Sequence, residues 1–542
     1  MMLADALLTA LKDRGAGEVF GIPGDFALPF FGRVEASGIL PLVTLSHEPG
    51  LGFAADAAGR WHGTLGVAAI TYGAGALNMV NPIACAYAEK SPLVVISGAP
   101  GAGEGTTGLV LHHQVKNLDS QMRVMREVTA AQCVLDDPAT APAEIARVLD
   151  VARNLSRPVY IELPRDMVEA EVGPVPAFRP AKADPDATRA CAEQVMRRLR
   201  SADRPAILLG VELRRFGCEA AGVKLVRRLG LPAATTFMAR GIGAGEGSPV
   251  RGTYLGLAGD EDLRGVIEDA DALLMLGVIL ADTNFGVSAK QIDMRGAIHA
   301  EDGAVRFATH AYPRVTLPAL LDALLEIAEP LGESAAAAPP SLPSGMEPDD
   351  APLKPEDIAA AVNDSFAAHG PMPIASDMGD CLFTAMDMAH VPLVAPGYYA
   401  TMGTGIPFGI GVAVASGERP LILVGDGAFQ MTGWELGHCA RLGIAPVVIV
   451  FNNAAWGMLK VFQEGRRYND LDTWRYAELA EGLGGQGVRV ETRAELAQAL
   501  DTARADAGRW HLIEAMLPRD GYSPVLSRFV GAIRQRSVLG NG

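Results

Sequence analysis

The chain has 542 residues, 49% of them hydrophobic and 20% charged, with a formal net charge of −17. That length exceeds what one hydrophobic core supports, and the composition excludes a disordered chain. The acidic balance argues against nucleic acid as a partner; it leaves a small anionic substrate open, because a local pocket can oppose the global sign.

The first segment, MMLADALLTALKDRG with Asp5, Lys12 and Asp13, reads as an amphipathic helix and not as a signal peptide. Beyond it the apolar runs LGVAAIT, PLVVISG and RPVYIEL alternate with helical stretches such as PGLGFAADAAGRW. Such alternation predicts a parallel sheet with helices on both faces, here over residues 1–170. The Pro-rich LPRDMVEAEVGPVPAFRPAKADP reads as a linker. A second α/β block, 186–328, contains PAILLGV, GLPAATTF and ALLMLGV; residues 329–352, rich in Ala, Pro and Ser, form a second linker. The last block, 353–542, contains PIASDMG, PLILVGDG, PVVIVFNN and WHLIEAM. The expected fold class is therefore α/β, three doubly wound parallel-sheet domains, and three blocks of similar size suggest repetition of one layout. No apolar run reaches ~18 residues, so no membrane span is expected. Six scattered cysteines without a CxxC point to free thiols in a cytoplasmic protein.

Chemistry is concentrated at residues 420–453. LILV runs into Gly425-Asp426-Gly427; AFQMTGWELGHCARLG can form a helix weakened by Gly433 and Gly437; APVVIVF then ends at Asn452-Asn453. This is one βαβ unit, whose right-handed crossover brings both strand ends to one sheet edge. Asp426, the Asn453 amide oxygen and the Ala455 carbonyl then make half an octahedron of hard ligands, suited to Mg²⁺ with phosphate oxygens completing the shell. Gly427 would let a diphosphate approach the backbone, facing the N–H groups that open the helix at Ala428. Taken singly, GDG is a turn and NN a helix cap; the pair at this spacing, each ending a buried strand, resembles the thiamin diphosphate signature. No GxxxxGK[ST] is present, so a P-loop is excluded, and the glycines of GAGEGTTG (101–108) and TMGTGIPFG (401–409) are read as loops. Thiamin chemistry also needs an acid that bonds the pyrimidine ring nitrogen. Glu48 in LSHEPG, between an apolar run and a helix, suits that role, although a lone Glu there would ordinarily be a cap.

GIPGDF, SHEPG, TYGAGALNMVN, LHHQ and GDG…NN together resemble the thiamin diphosphate-dependent 2-oxo acid decarboxylases over nearly the whole chain. GDFALPFF, ADTNF, SDMGDCLFTAMDM and GDGAFQMTGWELG look closest to the bacterial phenylpyruvate/indolepyruvate group. The resemblance implies a pyrimidine-binding, a middle and a diphosphate-binding domain, in that order. It also implies roles. Asp25, His112 and His113 would form the polar wall facing the reacting carbon, and Asp282 would reach the site from the middle domain. Met402 would be the wedge that bends the cofactor, with the backbones of Ala400 and Met402 on the pyrimidine. Met378 would lie near the thiazolium, and Asp380, Gly425 and Gly427 by the diphosphate. Many members carry a glutamate six residues past the second Asn; here Leu459 stands there, implying a more apolar pocket suited to a bulky substrate tail. The expected reaction is non-oxidative decarboxylation of phenylpyruvate or indolepyruvate. Pyruvate, branched-chain 2-oxo acids and benzoylformate remain alternatives, as do an acetolactate synthase-like carboligase and a degenerate binding protein. In this family Glu48 meets the 426–453 clamp across a subunit interface, so a homodimer is the expected minimal unit and a homotetramer the expected assembly.

Overall fold

The computed structural model describes residues 1–245, 247–285, 287–288, 292–332, 341–463 and 465–539, with side chains to residue 534. Of the expected linker 329–352, residues 333–340 lie outside the described residues, and so does the end of the last block at 540–542.

Three sheets carry the chain. In the first, the spatial order is Leu42–Thr44, Val19–Gly21, Gly66–Ile70, Leu93–Ala99, Val159–Pro164 and Ala131–Val134, all parallel. The third sheet repeats that order of strands: Leu393–Val394, Ile374–Ser376, Leu421–Gly425, Val447–Asn452, His511–Met516 and Gln486–Val490, again all parallel. The middle sheet differs. Its five strands Val250–Thr253, Ala233–Thr235, Pro205–Leu209, Ala272–Leu276 and Ala297–Glu301 are parallel, but Gly303–Arg306 and Ala311–Val315 add an antiparallel hairpin at the edge. The shared layout thus holds for the outer two sheets and not for the middle one, where the two edge strands are only 4 and 5 residues long.

The central strands are buried throughout, as their continuous apolar runs require. In the first sheet Val67, Ala69, Val94, Ile96, Val159 and Ile161 pack with Leu7, Leu8 and Leu11 of helix Leu3–Asp13 and with Ile145 and Leu149 of helix Ala141–Leu155. Local signals set the helix starts. Asp184 accepts the N–H groups of Asp186 and Ala187 ahead of helix Pro185–Arg200, and Thr492 and Glu495 form a capping box on helix Arg493–Ala505.

By compactness the chain forms two units: Met1–Ala181 with Pro407–Glu418 and Trp434–Ile444, and the remainder. Two segments distant in sequence therefore belong with the first sheet. One corrects the reading of TMGTGIPFG as a loop: a helix runs over Gly405–Ser416. It lies so close to helix Glu48–His62 that a Cβ at Gly411 would sit 2.2 Å from the Ala54 carbonyl oxygen. Phe408 meets Phe53 edge-on and receives the Arg60 guanidinium over its ring. The 426–442 stretch is also not one helix. It breaks into Asp426–Thr432, a 3-10 segment Gly433–His438 and Cys439–Leu442, as its two glycines suggested.

Candidate active site

In the second unit, the βαβ unit places its strand ends as the sequence predicts. Leu421 to Gly425 pair in register with Val447 to Phe451, so Asp426 and Asn453 follow neighbouring strands on one edge. The two asparagines have separate fates. Asn452 is buried and donates from Nδ2 to Glu514 Oε1 at 2.7 Å, tying two strands together. Asn453 is half-exposed, and its Oδ1 accepts the Ala455 N–H at 3.1 Å. Ala454 between them has φ +51°, a left-handed turn that bends the chain away from the strand.

Asp426 is buried. Its Oδ1 accepts the Gly427 N–H at 2.7 Å, and its Oδ2 has no hydrogen-bond partner among the described residues. Burial pushes its carboxyl up to about 6, although the N–H groups of Gly427, Ala454, Ala455 and Asn453 pull it back. A buried carboxylate oxygen that accepts no hydrogen bond among the described residues, at the end of a strand whose neighbour leads to Asn453, is chemically suited to a hard cation. A Cβ at Gly427 would lie 2.7 Å from the Trp456 ring, whereas the space beside Gly425 is open. Trp456 alone is enough to require glycine at 427. Ala428 is buried in the first turn of the helix.

Around this edge, Met378 is buried, and Met402 packs partly buried against the same core. Ala400 adopts φ +57°, an uncommon backbone for a residue with a side chain. Asp380 opens helix Asp380–Ala385 and accepts the Ser523 N–H at 2.9 Å and the Ser523 hydroxyl; burial raises it to about 6, against Ser523. Asp282 is exposed at the start of a four-residue helix and accepts the N–H of Thr283 at 2.8 Å. Leu459, on helix Gly457–Phe462, is 56% exposed.

Sequence reasoning missed Asp377. Fully buried, it accepts the N–H groups of Met378 at 2.8 Å, Gly403 at 3.1 Å and Gly405 at 2.7 Å, and so fixes the loop that carries Met402. The signal was available, for an acid directly past a buried strand is what singled out Asp426.

In the first unit the structure brings Asp25, His112 and His113 together. His112 Nε2 hydrogen-bonds to Asp25 Oδ2, and His113 Nε2 lies 3.7 Å from Asp25 Oδ1. The His112 ring stacks on Phe26 at 4.7 Å. Burial raises the Asp25 carboxyl, but the hydrogen bond and charge of His112 outweigh it and hold the group below its ordinary value. His113 sits at φ +65°. Its carbonyl lies where a Cβ on Gly73 would be, 2.1 Å away, so only glycine fits at 73. Behind Gly73 is a buried polar network that the sequence did not reveal. Gln121 Oε1 accepts the Gly73 N–H at 2.5 Å, and Gln121 Nε2 donates to Glu162 Oε1 at 3.1 Å; the Tyr160 hydroxyl donates to the same oxygen.

Glu48 begins helix Glu48–His62, is half-buried, and accepts from Asn78 Nδ2 at 3.0 Å. The absence of a side chain at Gly75 leaves it room.

Comparison with known proteins agrees with this layout. Three families match in order: the thiamine pyrophosphate enzyme N-terminal TPP binding domain over residues 1–124, the central domain over 192–323, and the C-terminal TPP binding domain over 377–515. The class is that of thiamine pyrophosphate enzymes. Within it the chain belongs to the thiamine pyrophosphate-dependent 2-oxo acid decarboxylases, which are carboxy-lyases. It is 58% identical over 533 residues to an indole-3-pyruvate decarboxylase of Azospirillum brasilense, covering 98% of each chain. It is 30% identical to an alpha-keto-acid decarboxylase of Mycobacterium ulcerans, covering 98% of this chain and 96% of the relative. A similar protein of Mycobacterium tuberculosis H37Rv is 31% identical, with 98% and 97% covered. No described helix is long and apolar enough to cross a membrane.

Proposed function

We propose that the enzyme decarboxylates aromatic 2-oxo acids, indolepyruvate and phenylpyruvate, consuming one proton and releasing CO₂ and the aldehyde one carbon shorter. The observation that carries this substrate class is the 58% identity, over 98% of the chain, to an indole-3-pyruvate decarboxylase. Bound thiamin diphosphate supplies the nucleophilic carbon and the sink for the electrons of the broken carbon–carbon bond. The chain's own residues bind, orient and move protons. Asp426, Asn453 and Ala455 hold Mg²⁺; the bare Asp426 Oδ2 supports this assignment. Gly425, Gly427, Ala428, Met378 and Asp380 bound the diphosphate and thiazolium, while the Ala400 and Met402 backbones and the Glu48 carboxylate orient the pyrimidine. Asp25 with His112 and His113, joined by Asp282, manages the proton that replaces the departing carboxylate. The hydrogen-bonded Asp25–His112 pair can deliver that proton and take its replacement from solvent. Leu459 keeps one wall apolar.

Residues 1–170 serve as the pyrimidine-binding domain, 186–328 as the middle domain and 353–542 as the diphosphate-binding domain. The minimal active unit is a homodimer, assembled as a cytoplasmic homotetramer. The deciding experiment is steady-state kinetics over pyruvate, branched-chain, phenyl and indole 2-oxo acids, with CO₂ and aldehyde both measured. Aromatic substrates are expected to lead pyruvate in kcat/KM by about tenfold or more, since one large apolar group is worth a few kcal/mol of binding. A preference for pyruvate or branched-chain acids would overturn the aromatic assignment.

A further inference from the structure

We infer that Glu435 is a positioning residue for Glu48: its carboxylate anchors the backbone from which Glu48 is presented. The inference rests on the assignment of Glu48 to the pyrimidine. Glu435 lies in the 3-10 segment Gly433–His438 and is 0% exposed. Its Oε2 accepts the Ser46 N–H at 2.9 Å, and its Oε1 accepts the His47 N–H at 3.1 Å. These are the two amides immediately before Glu48, each bonded to a different oxygen of one carboxylate. Bonds of backbone N–H to an ionised carboxylate are the stronger kind, and burial removes the competing water.

Neighbouring side chains grip the same segment. His438 Nε2 lies 2.7 Å from Ser46 Oγ, and Arg441 Nη2 donates to the Thr44 carbonyl at 2.6 Å and lies 2.9 Å from His438 Nδ1. Glu48 is therefore held twice, through its backbone by Glu435 and through its side chain by Asn78. An acid that must meet one ring nitrogen tolerates little displacement; a misplacement of about 1 Å can cost on the order of a hundredfold. Glutamate is the residue that fits here, because glutamine would offer one acceptor and turn an NH₂ group against the second amide.

The test uses Glu435→Gln in the full-length protein, with Glu48→Gln alongside. Two readouts go beyond turnover: proton–deuterium exchange at C2 of bound thiamin diphosphate, followed by NMR after acid quench, and amide exchange of the peptide spanning residues 44–50 without cofactor. Glu435→Gln is expected to slow C2 exchange by about tenfold or more and to speed amide exchange at 46–47 by at least about tenfold. Glu48→Gln is expected to slow C2 exchange by roughly a hundredfold, leaving amide exchange unchanged. If Glu48→Gln exchanges its C2 proton like the wild type, the assignment of Glu48 fails. If only Glu435→Gln behaves like the wild type in both readouts, Glu435 is not the anchor and the Glu48 reading survives. Should Glu435→Gln fail to fold, Gly50→Ala probes the same contact, since its Cβ would lie 2.9 Å from Glu435 Oε1 and displace the carboxylate. Slowed C2 exchange in that variant supports the inference, and wild-type exchange overturns it.

Discussion

Asp377 and Gly405, 28 residues apart in the chain, are joined by a 2.7 Å hydrogen bond from the Gly405 N–H to the buried Asp377 carboxylate, which also holds Gly403. The Met402 loop is thus tied to the end of strand Ile374–Ser376 by one side chain. Asp377→Asn keeps the shape but loses an acceptor, leaving an amide facing a backbone N–H at a cost of about 1–3 kcal/mol. The expected outcome is a thiamin diphosphate dissociation constant raised about tenfold or more, with the far-ultraviolet circular dichroism unchanged. A dissociation constant within twofold of wild type in calorimetry would show that the loop holds without Asp377.

Asp426 should carry opposite signs for stability and for binding. Its Oδ2 is buried and accepts no hydrogen bond among the described residues, an arrangement that costs the cofactor-free protein. Asp426→Asn is therefore expected to leave the cofactor-free protein as stable as wild type or more so, by up to about 1 kcal/mol. If Asp426 holds the proposed Mg²⁺, the stabilisation expected on adding Mg²⁺ and thiamin diphosphate should be largely lost in this variant, because the cation would lose its anionic ligand. Thermal unfolding with and without the two ligands reads both effects. An undiminished ligand-induced shift would remove Asp426 from the cation site.

Leu459, 56% exposed, presents an apolar side chain at the position where the family resemblance implies a glutamate. If it lines the substrate tail, Leu459→Glu should lower kcat/KM for indolepyruvate by roughly tenfold and change that for pyruvate by less than about threefold, as expected for loss of 1–2 kcal/mol of apolar contact. Equal changes for both substrates would sink the argument from substrate size.

What the sequence discloses and what it hides divide on physical grounds. Buried parallel strands are continuous apolar runs, so the three sheets and the 421–452 βαβ unit could be read directly, and Asp426 and Asn453 with them. Asp25, His112 and His113 came from motif wording, and the structure brings their side chains together. The hairpin Gly303–Arg306/Ala311–Val315 stayed hidden because its second strand is mostly exposed and short. The Gly405–Ser416 helix stayed hidden because glycines weaken a helical pattern, yet Gly411 is what lets it approach Ala54. Glu435 gave no local sign at all, since its partners Ser46 and His47 lie nearly 400 positions earlier and only the fold makes them neighbours.

Glu162 supplies a prediction in pH. It is 7% exposed, and burial raises its carboxyl from 4.5 to about 7, with the Tyr160 hydroxyl and Gln121 pulling it back. The folded state therefore favours the protonated acid. Its contribution to stability is fully present below pH 4.5, declines as pH rises through that range and is gone above about 7. At about 1.4 kcal/mol per pH unit the whole decline is roughly 3 kcal/mol, and about 2 kcal/mol of it falls between pH 5 and pH 8. Glu162→Gln retains an oxygen to accept from Tyr160 and Gln121 and does not titrate. Relative to wild type, the variant should gain about 2 kcal/mol between pH 5 and pH 8, seen as a shift in urea midpoint. A pH-independent difference in midpoint between the two proteins would mean that Glu162 titrates alike in the folded and unfolded chains.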